Sequence, residues 1–127
     1  MAITFTVPGD PVPQPRPRVS TRGGFARAYV PAKHPVHAYR QAVQMSAVAA
    51  GAQTHVDPVE VVIDAVFLRP KSHKKGATTQ PRQDVDNVAK AVLDALTGVA
   101  WADDRQVRRL VIEKSYGPEA RTTVRIS

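Results

Sequence analysis

Residues 84–107 read DVDNVAKAVLDALTGVAWADDRQV, and their spacing predicts an amphipathic helix that stops and hands the chain to a strand. Val85, Val88, Ala89, Val92, Leu93 and Leu96 recur with the helical period and so share one face. Gly98 stands where a C-cap glycine belongs. Outward from this helix, residues 59–68 (VEVVIDAVFL) place Val59, Val61, Ile63, Ala65 and Phe67 on one apolar face. The other face also turns apolar towards Leu68, which predicts a central strand covered on both sides. Beyond it, VRRLVIEKSY and ARTTVRIS flank Gly117-Pro118-Glu119 and predict a β-hairpin.

The upstream half is read in the same way. Ile3, Phe5 and Val7 alternate with Ala2, Thr4 and Thr6, a strand pattern. PGDPVPQPRPR follows and cannot be helical, because proline lacks the N–H and clashes with the preceding turn. Arg16, Arg18, Arg22 and Arg27, with Gly23-Gly24 between them, predict a basic hairpin or loop. From Pro35 to about Ala50, Val36, Tyr39, Val43, Ala47 and Ala50 share a helical face, opposite His37, Arg40, Gln41 and Gln44. Residues 69–83 (RPKSHKKGATTQPRQ) are too polar to fold onto a core and predict a long basic loop. The expected architecture is a single α/β (α+β) domain over residues 1–127, a mixed sheet carrying two main helices.

Composition removes several function classes. The chain has 127 residues, 43% hydrophobic and 23% charged, an ordinary globular balance. It has no cysteine, so disulfides, thiolate zinc sites and cysteine nucleophiles are out. No apolar run reaches the roughly 18 residues of a membrane span, and no signal-peptide core is visible, so the expected compartment is the cytoplasm. Net charge is +7 with a pI near 10.3, which favours a polyanionic partner. Between Asp84 and Asp104, however, the local charge is −4, and the rest of the chain carries +11. An acidic island in a basic protein is expected where carboxylates hold a cation and the surroundings hold a polyanion.

The island offers ligands of the right chemistry. Asp86, Lys90 and Asp94 are spaced i, i+4, i+8 along one exposed helix face. Asp84 precedes them at the N-terminus, where backbone N–H groups tolerate negative charge. Asp103 and Asp104 follow Trp101, and a helix that leads into a strand commonly folds back, which would bring them near the first pair. Asp84, Asp86 and Asp104 suit Mg²⁺, a hard cation that takes oxygen ligands and keeps several waters. Taken singly, each acid has a plain structural use: Asp84 as an N-cap, Asp86 with Lys90 as a helix pair, Asp103-Asp104 as turn residues. Their clustering in a basic chain favours the metal. An EF-hand is excluded, because Ala89 and Ala95 occupy the glycine and glutamate positions. Trp101 is expected to pack beneath the Asp103-Asp104 turn.

DVDNVAKAVLDALTGVAWADDRQV resembles the signature of the RusA-type Holliday junction resolvases, with its Asp-x-Asp-Asn helix start, lysine one turn on, Asp-Ala-Leu and distal Asp-Asp-x-Gln. GDPVPQPRPR is similar to that family's opening after its first strand. Gln83 departs from a proline common before the first aspartate, and Thr97 from an asparagine common before the glycine; neither removes a candidate ligand. The resemblance implies a homodimeric, Mg²⁺-dependent endodeoxyribonuclease (Mn²⁺ able to substitute) that nicks four-way DNA junctions symmetrically. It implies Asp84, Asp86 and Asp104 as metal ligands, Asp103 in support, and Lys90 at the scissile phosphate. Arg16, Arg18, Lys71, Lys74, Lys75 and Arg82 are the candidate phosphate contacts. Two other readings stay open at this stage: a non-catalytic basic DNA-binding protein, and a metal-dependent nuclease acting on other branched DNA or on RNA.

Overall fold

Alternation builds the first strand, β1 (Ile3–Pro8), which buries Phe5 and Val7 and turns its threonines outward. In the computed structural model, residues 2–72 and 79–127 are described. The extended proline run leads into β2 (Arg18–Ser20) and β3 (Arg27–Tyr29), which pair antiparallel as the expected basic hairpin. Helix α1 (Pro35–Ala49) starts with His34 at its N-cap, whose Nδ1 accepts the Val36 N–H at 3.0 Å. Val36, Tyr39, Val43 and Ala47 are its buried face; Ala50, expected among them, lies past the last turn and is exposed.

β4 (Val59–Leu68) is the central strand, and α2 (Val85–Leu96) and β5 (Val107–Gly117) complete a crossover that lays β5 parallel to it. β6 (Arg121–Ile126) pairs antiparallel with both β4 and β1, so the sheet order is β1-β6-β4-β5. The predicted hairpin of the last two strands is therefore not formed. β4 lies between β5 and β6 and takes a hydrogen-bonded partner on each edge, which its apolar core-facing row rewards most. Pro118, Glu119 and Ala120 bridge the two strand spacings, about 10 Å, which three or four extended residues span easily. The end of β5 runs close over Val66: a Cβ on Gly117 would stand 2.7 Å from Val66 Cγ1, so a larger residue there would have to displace a buried side chain.

Both helices pack on the sheet face carrying Phe5, Val7, Val61, Ile63, Val124 and Ile126, forming one core with Trp101 and Leu96. The opposite face has no helix. Val66 is buried there beside Gly117, whereas Val62 and Leu68 stay open, so β4 is central but not covered on both sides as expected. Two buried hydroxyls in the core satisfy each other: Tyr39 Oη and Thr122 Oγ1 lie 2.6 Å apart. Burial pushes the Tyr39 phenol up to about 12. Its contribution to stability is thus complete below pH 10 and is lost as pH rises towards 12.

Candidate active site

The helix face predicted from the sequence overlooks the exposed edge of the sheet. β5 is an edge strand, and its core-side residues Leu110 and Ile112 are only partly covered by α2. Between the two elements lies a cleft of about 390 Å³, floored by Val85, Ala89, Leu93, Leu110 and Ile112 and rimmed by Asp86, Lys90, Asp94 and Asp104. The helix supplies the first three rim residues because i, i+4 and i+8 stack on one face. Asp104 arrives from the other side, at the start of a single 3₁₀ turn (Asp104–Gln106) that leads into β5. The β–α–β crossover is what brings Asp104 to the helix.

The side chains around the rim are tied very unequally. Among the described residues, the carboxylates of Asp84 and Asp86 make no hydrogen bond or ion pair. Asp84 occupies the N-cap position of α2, but its side chain does not cap. The Asp86–Lys90 helix pair, the plain structural use for both, is not formed either. Lys90 Nζ instead lies 3.8 Å from Asp94 Oδ2, with 60% of its side chain exposed. Asp94 has a firmer partner in Arg40 of α1, whose Nη2 donates to the same oxygen at 3.1 Å. Arg40 Nη2 also donates to Gln14 Oε1, and the Gln14 N–H donates to Asn87 O at 2.8 Å. The proline-rich arm is thereby pinned to the first turn of α2, beside Asp86.

The Asp-Asp-x-Gln sequence divides into a scaffold and a rim. Asp103 Oδ1 accepts the Arg105 N–H at 2.9 Å, while Gln106 Oε1 accepts the Asp103 N–H at 2.8 Å, a reciprocal capping box. Gln106 Nε2 donates back to His55 O and Asp57 O, fastening the turn to the strand-leading segment. The Arg105 N–H, then its guanidinium, hold the Asp103 carboxyl below the usual carboxylate range. That cap is intact above the carboxylate range and weakens as pH falls through it. Asp103 lines a separate depression with Arg105 and Gln106 and does not reach the cleft.

Asp104 is held from below. Thr97 Oγ1 lies 2.5 Å from Asp104 Oδ1 and 2.9 Å from Leu93 O, and it accepts the Trp101 indole N–H at 3.2 Å. A hydroxyl has one proton, so Thr97 serves one acceptor at a time while the indole fills a lone pair. Trp101 is fully buried, packing under the turn as expected, and Gly98 at φ +88° lets residues 97–101 close tightly around it. A core tryptophan thus orients a rim carboxylate through one threonine.

Of the predicted residues, the structure gathers Asp86, Lys90 and Asp104 at the cleft, leaves Asp84 exposed at the helix start, and uses Asp103 as a cap. Among the described residues no three His, Cys, Asp or Glu side chains converge closely enough to form a ready-made cation cage. The donor set nevertheless fits Mg²⁺, which usually takes one or two protein carboxylates and fills its other positions with water. Arg16, Arg18, Lys71 and Arg82 are all exposed, whereas Lys74 and Lys75 lie outside the described residues. Arg40, Asp94 and Thr97 were missed as site residues. Asp94 was visible in the helix stripe, but its link to Arg40 spans 54 positions and leaves no local signal.

No helix among the described residues is long and apolar enough to cross a membrane. The family described as Endodeoxyribonuclease RusA matches residues 8–127. A Bacillus subtilis (strain 168) relative, "Uncharacterized protein YqaN", is 37% identical over 138 residues, covering 98% of this chain and 94% of its own. With the acidic cleft and basic surroundings described above, these matches place the protein: the chain belongs to the RusA endodeoxyribonuclease family, the Holliday junction resolvases.

Proposed function

We propose that the protein resolves four-way DNA junctions by paired symmetric nicks, as a Mg²⁺-dependent homodimer acting in the cytoplasm of a bacterial cell. The observation that carries this reading is the cleft, where the free carboxylate of Asp86 and the oriented carboxylate of Asp104 face Lys90 over an apolar floor. Asp86 and Asp104 would hold the cation, with Asp84 at the helix start as the third ligand. When bound, the cation supplies water activation and neutralises charge building on the phosphoryl oxygen.

The remaining work falls to the chain's own residues. Lys90 presents an ammonium to the phosphate oxygens, and its loose 3.8 Å contact with Asp94 lets it exchange that partner for DNA. Arg40, the closer partner of Asp94, competes with Lys90 for that carboxylate and so leaves the lysine weakly tied. Asp103 and Gln106 fix the turn that presents Asp104. Arg16, Arg18, Lys71, Lys74, Lys75 and Arg82 supply sequence-independent attraction to the arms. Symmetric nicks require two equivalent sites, which a two-fold dimer provides.

The test is a cleavage assay on a labelled four-way junction beside a linear duplex of the same sequence, with Mg²⁺, with EDTA and with Asp86→Asn. Paired nicks in the junction alone, absent with EDTA and absent in the variant while its binding persists, are expected. Binding without nicks under any divalent metal would overturn the catalytic reading, and preferential cutting of flaps or RNA would replace the substrate.

A further inference from the structure

The hairpin formed by β2 and β3 is unlike the rest of the molecule. Every residue from Thr21 to Tyr29 is exposed, and its strands pair only with each other. Its tip nevertheless carries Phe25, 77% exposed, with Tyr29 at 45% on the returning strand. A phenylalanine this exposed contributes little to its own fold. Gly23 and Gly24, both at φ +81°, make the tight bend that holds Phe25 out at the tip.

The charge around this aromatic selects its partner. From Pro11 to Val56 the chain has six basic residues and no acidic one. Arg16, Arg18, Arg22 and Arg27 surround the hairpin, and among the described residues none of them meets a carboxylate. An exposed ring among unpaired arginines suits stacked bases flanked by phosphates; a hydrophobic protein pocket would meet that charge unfavourably. The placement is also appropriate. Gln14 is bonded to Asn87 on the first turn of α2, next to the cleft residue Asp86, and β2 begins four residues later, at most about 14 Å of chain from Gln14.

Resting on the junction-cutting function proposed above, we infer that Phe25 is a branch-point probe: its ring stacks on a base face exposed where the arms of the junction meet, while the hairpin arginines grip the flanking phosphates. A continuous duplex stacks its bases internally and offers no free face along its length. A four-way junction interrupts that stack at its centre. Arginine contacts alone bind both substrates, so the ring supplies the discrimination.

The test measures binding of the full-length protein in EDTA, by fluorescence anisotropy, to a four-way junction and to a linear duplex of the same sequence. Phe25→Ala is expected to weaken junction binding about 10-fold or more, leaving duplex binding, salt slope and melting temperature unchanged. Phe25→Trp is expected to keep the preference and to show fluorescence quenching on the junction only. A Phe25→Ala variant that retains the full junction preference overturns the proposal alone. So does equal loss on both substrates, or a loss that follows dissociation of a dimer by light scattering. Wild-type protein with no preference for the junction overturns the function it rests on as well.

Discussion

Asp103 and Asp104 are neighbours in sequence and opposites in use. Asp103 spends its carboxylate on backbone and guanidinium donors of Arg105 and faces away from the cleft. Asp104 turns to the cleft and is gripped through Thr97 by the buried Trp101. Asp84 and Asp86 repeat the contrast in weaker form, since both carboxylates are free but only Asp86 lines the cleft. In each pair one residue builds or begins an element and the other exploits the position this creates. A cluster of four acids therefore need not be a cluster of four ligands.

The contrast can be broken at its functional end first. On the role proposed above, Lys90→Ala is expected to lower cleavage by about 10²–10³-fold, measured on the labelled junction, because it removes a cation aimed at developing charge. Lys90 is exposed and its ion pair with Asp94 is long, so thermal melting should barely move; a strongly destabilised variant would instead make the lysine structural.

A smaller effect sharpens the difference between Asp103 and Asp104. Thr97→Val keeps the shape and removes the hydroxyl that links Trp101 to Asp104. With Asp104 holding the cation as proposed above, single-turnover cleavage is expected to fall by about 10–100-fold, with a raised Mg²⁺ requirement, the usual cost of losing a group that orients a metal ligand. Thr97→Ser should restore the hydroxyl and most of the activity. Equal loss in both variants would mean that the methyl group, not the hydroxyl, matters. Smallest of all, Arg16→Gln and Arg18→Gln are each expected to weaken junction and duplex binding alike and to reduce the salt slope by about one unit. A loss confined to the junction would move those arginines from general attraction to branch recognition.

Helix α2 was legible from the sequence because its apolar residues and its charged stripe both repeat at local spacing, and burial acts on that spacing directly. Strand β4 was legible for the same reason. The pairing of the last two strands was not: Gly117-Pro118-Glu119 permits a short turn, but a turn does not say whether another strand lies between its ends. That depended on β4 taking partners on both edges. The partly open second face of β4 followed from the same fact, since both helices pack on the other side of the sheet.

From its residues alone, this protein's acidic island, its basic surroundings and its two amphipathic helices were determined, and Asp84, Asp86, Lys90 and Asp104 stood out as candidates, because composition and periodicity are carried by neighbours in the chain. Tertiary structure decided which carboxylates meet at one cleft, that Asp103 and Gln106 scaffold the turn, and that Arg40, Gln14 and Thr97 support the rim. Those relations join residues far apart in sequence or facing different ways from adjacent positions. Their energies exist only once the crossover from β4 through α2 to β5 has brought the partners within hydrogen-bonding distance.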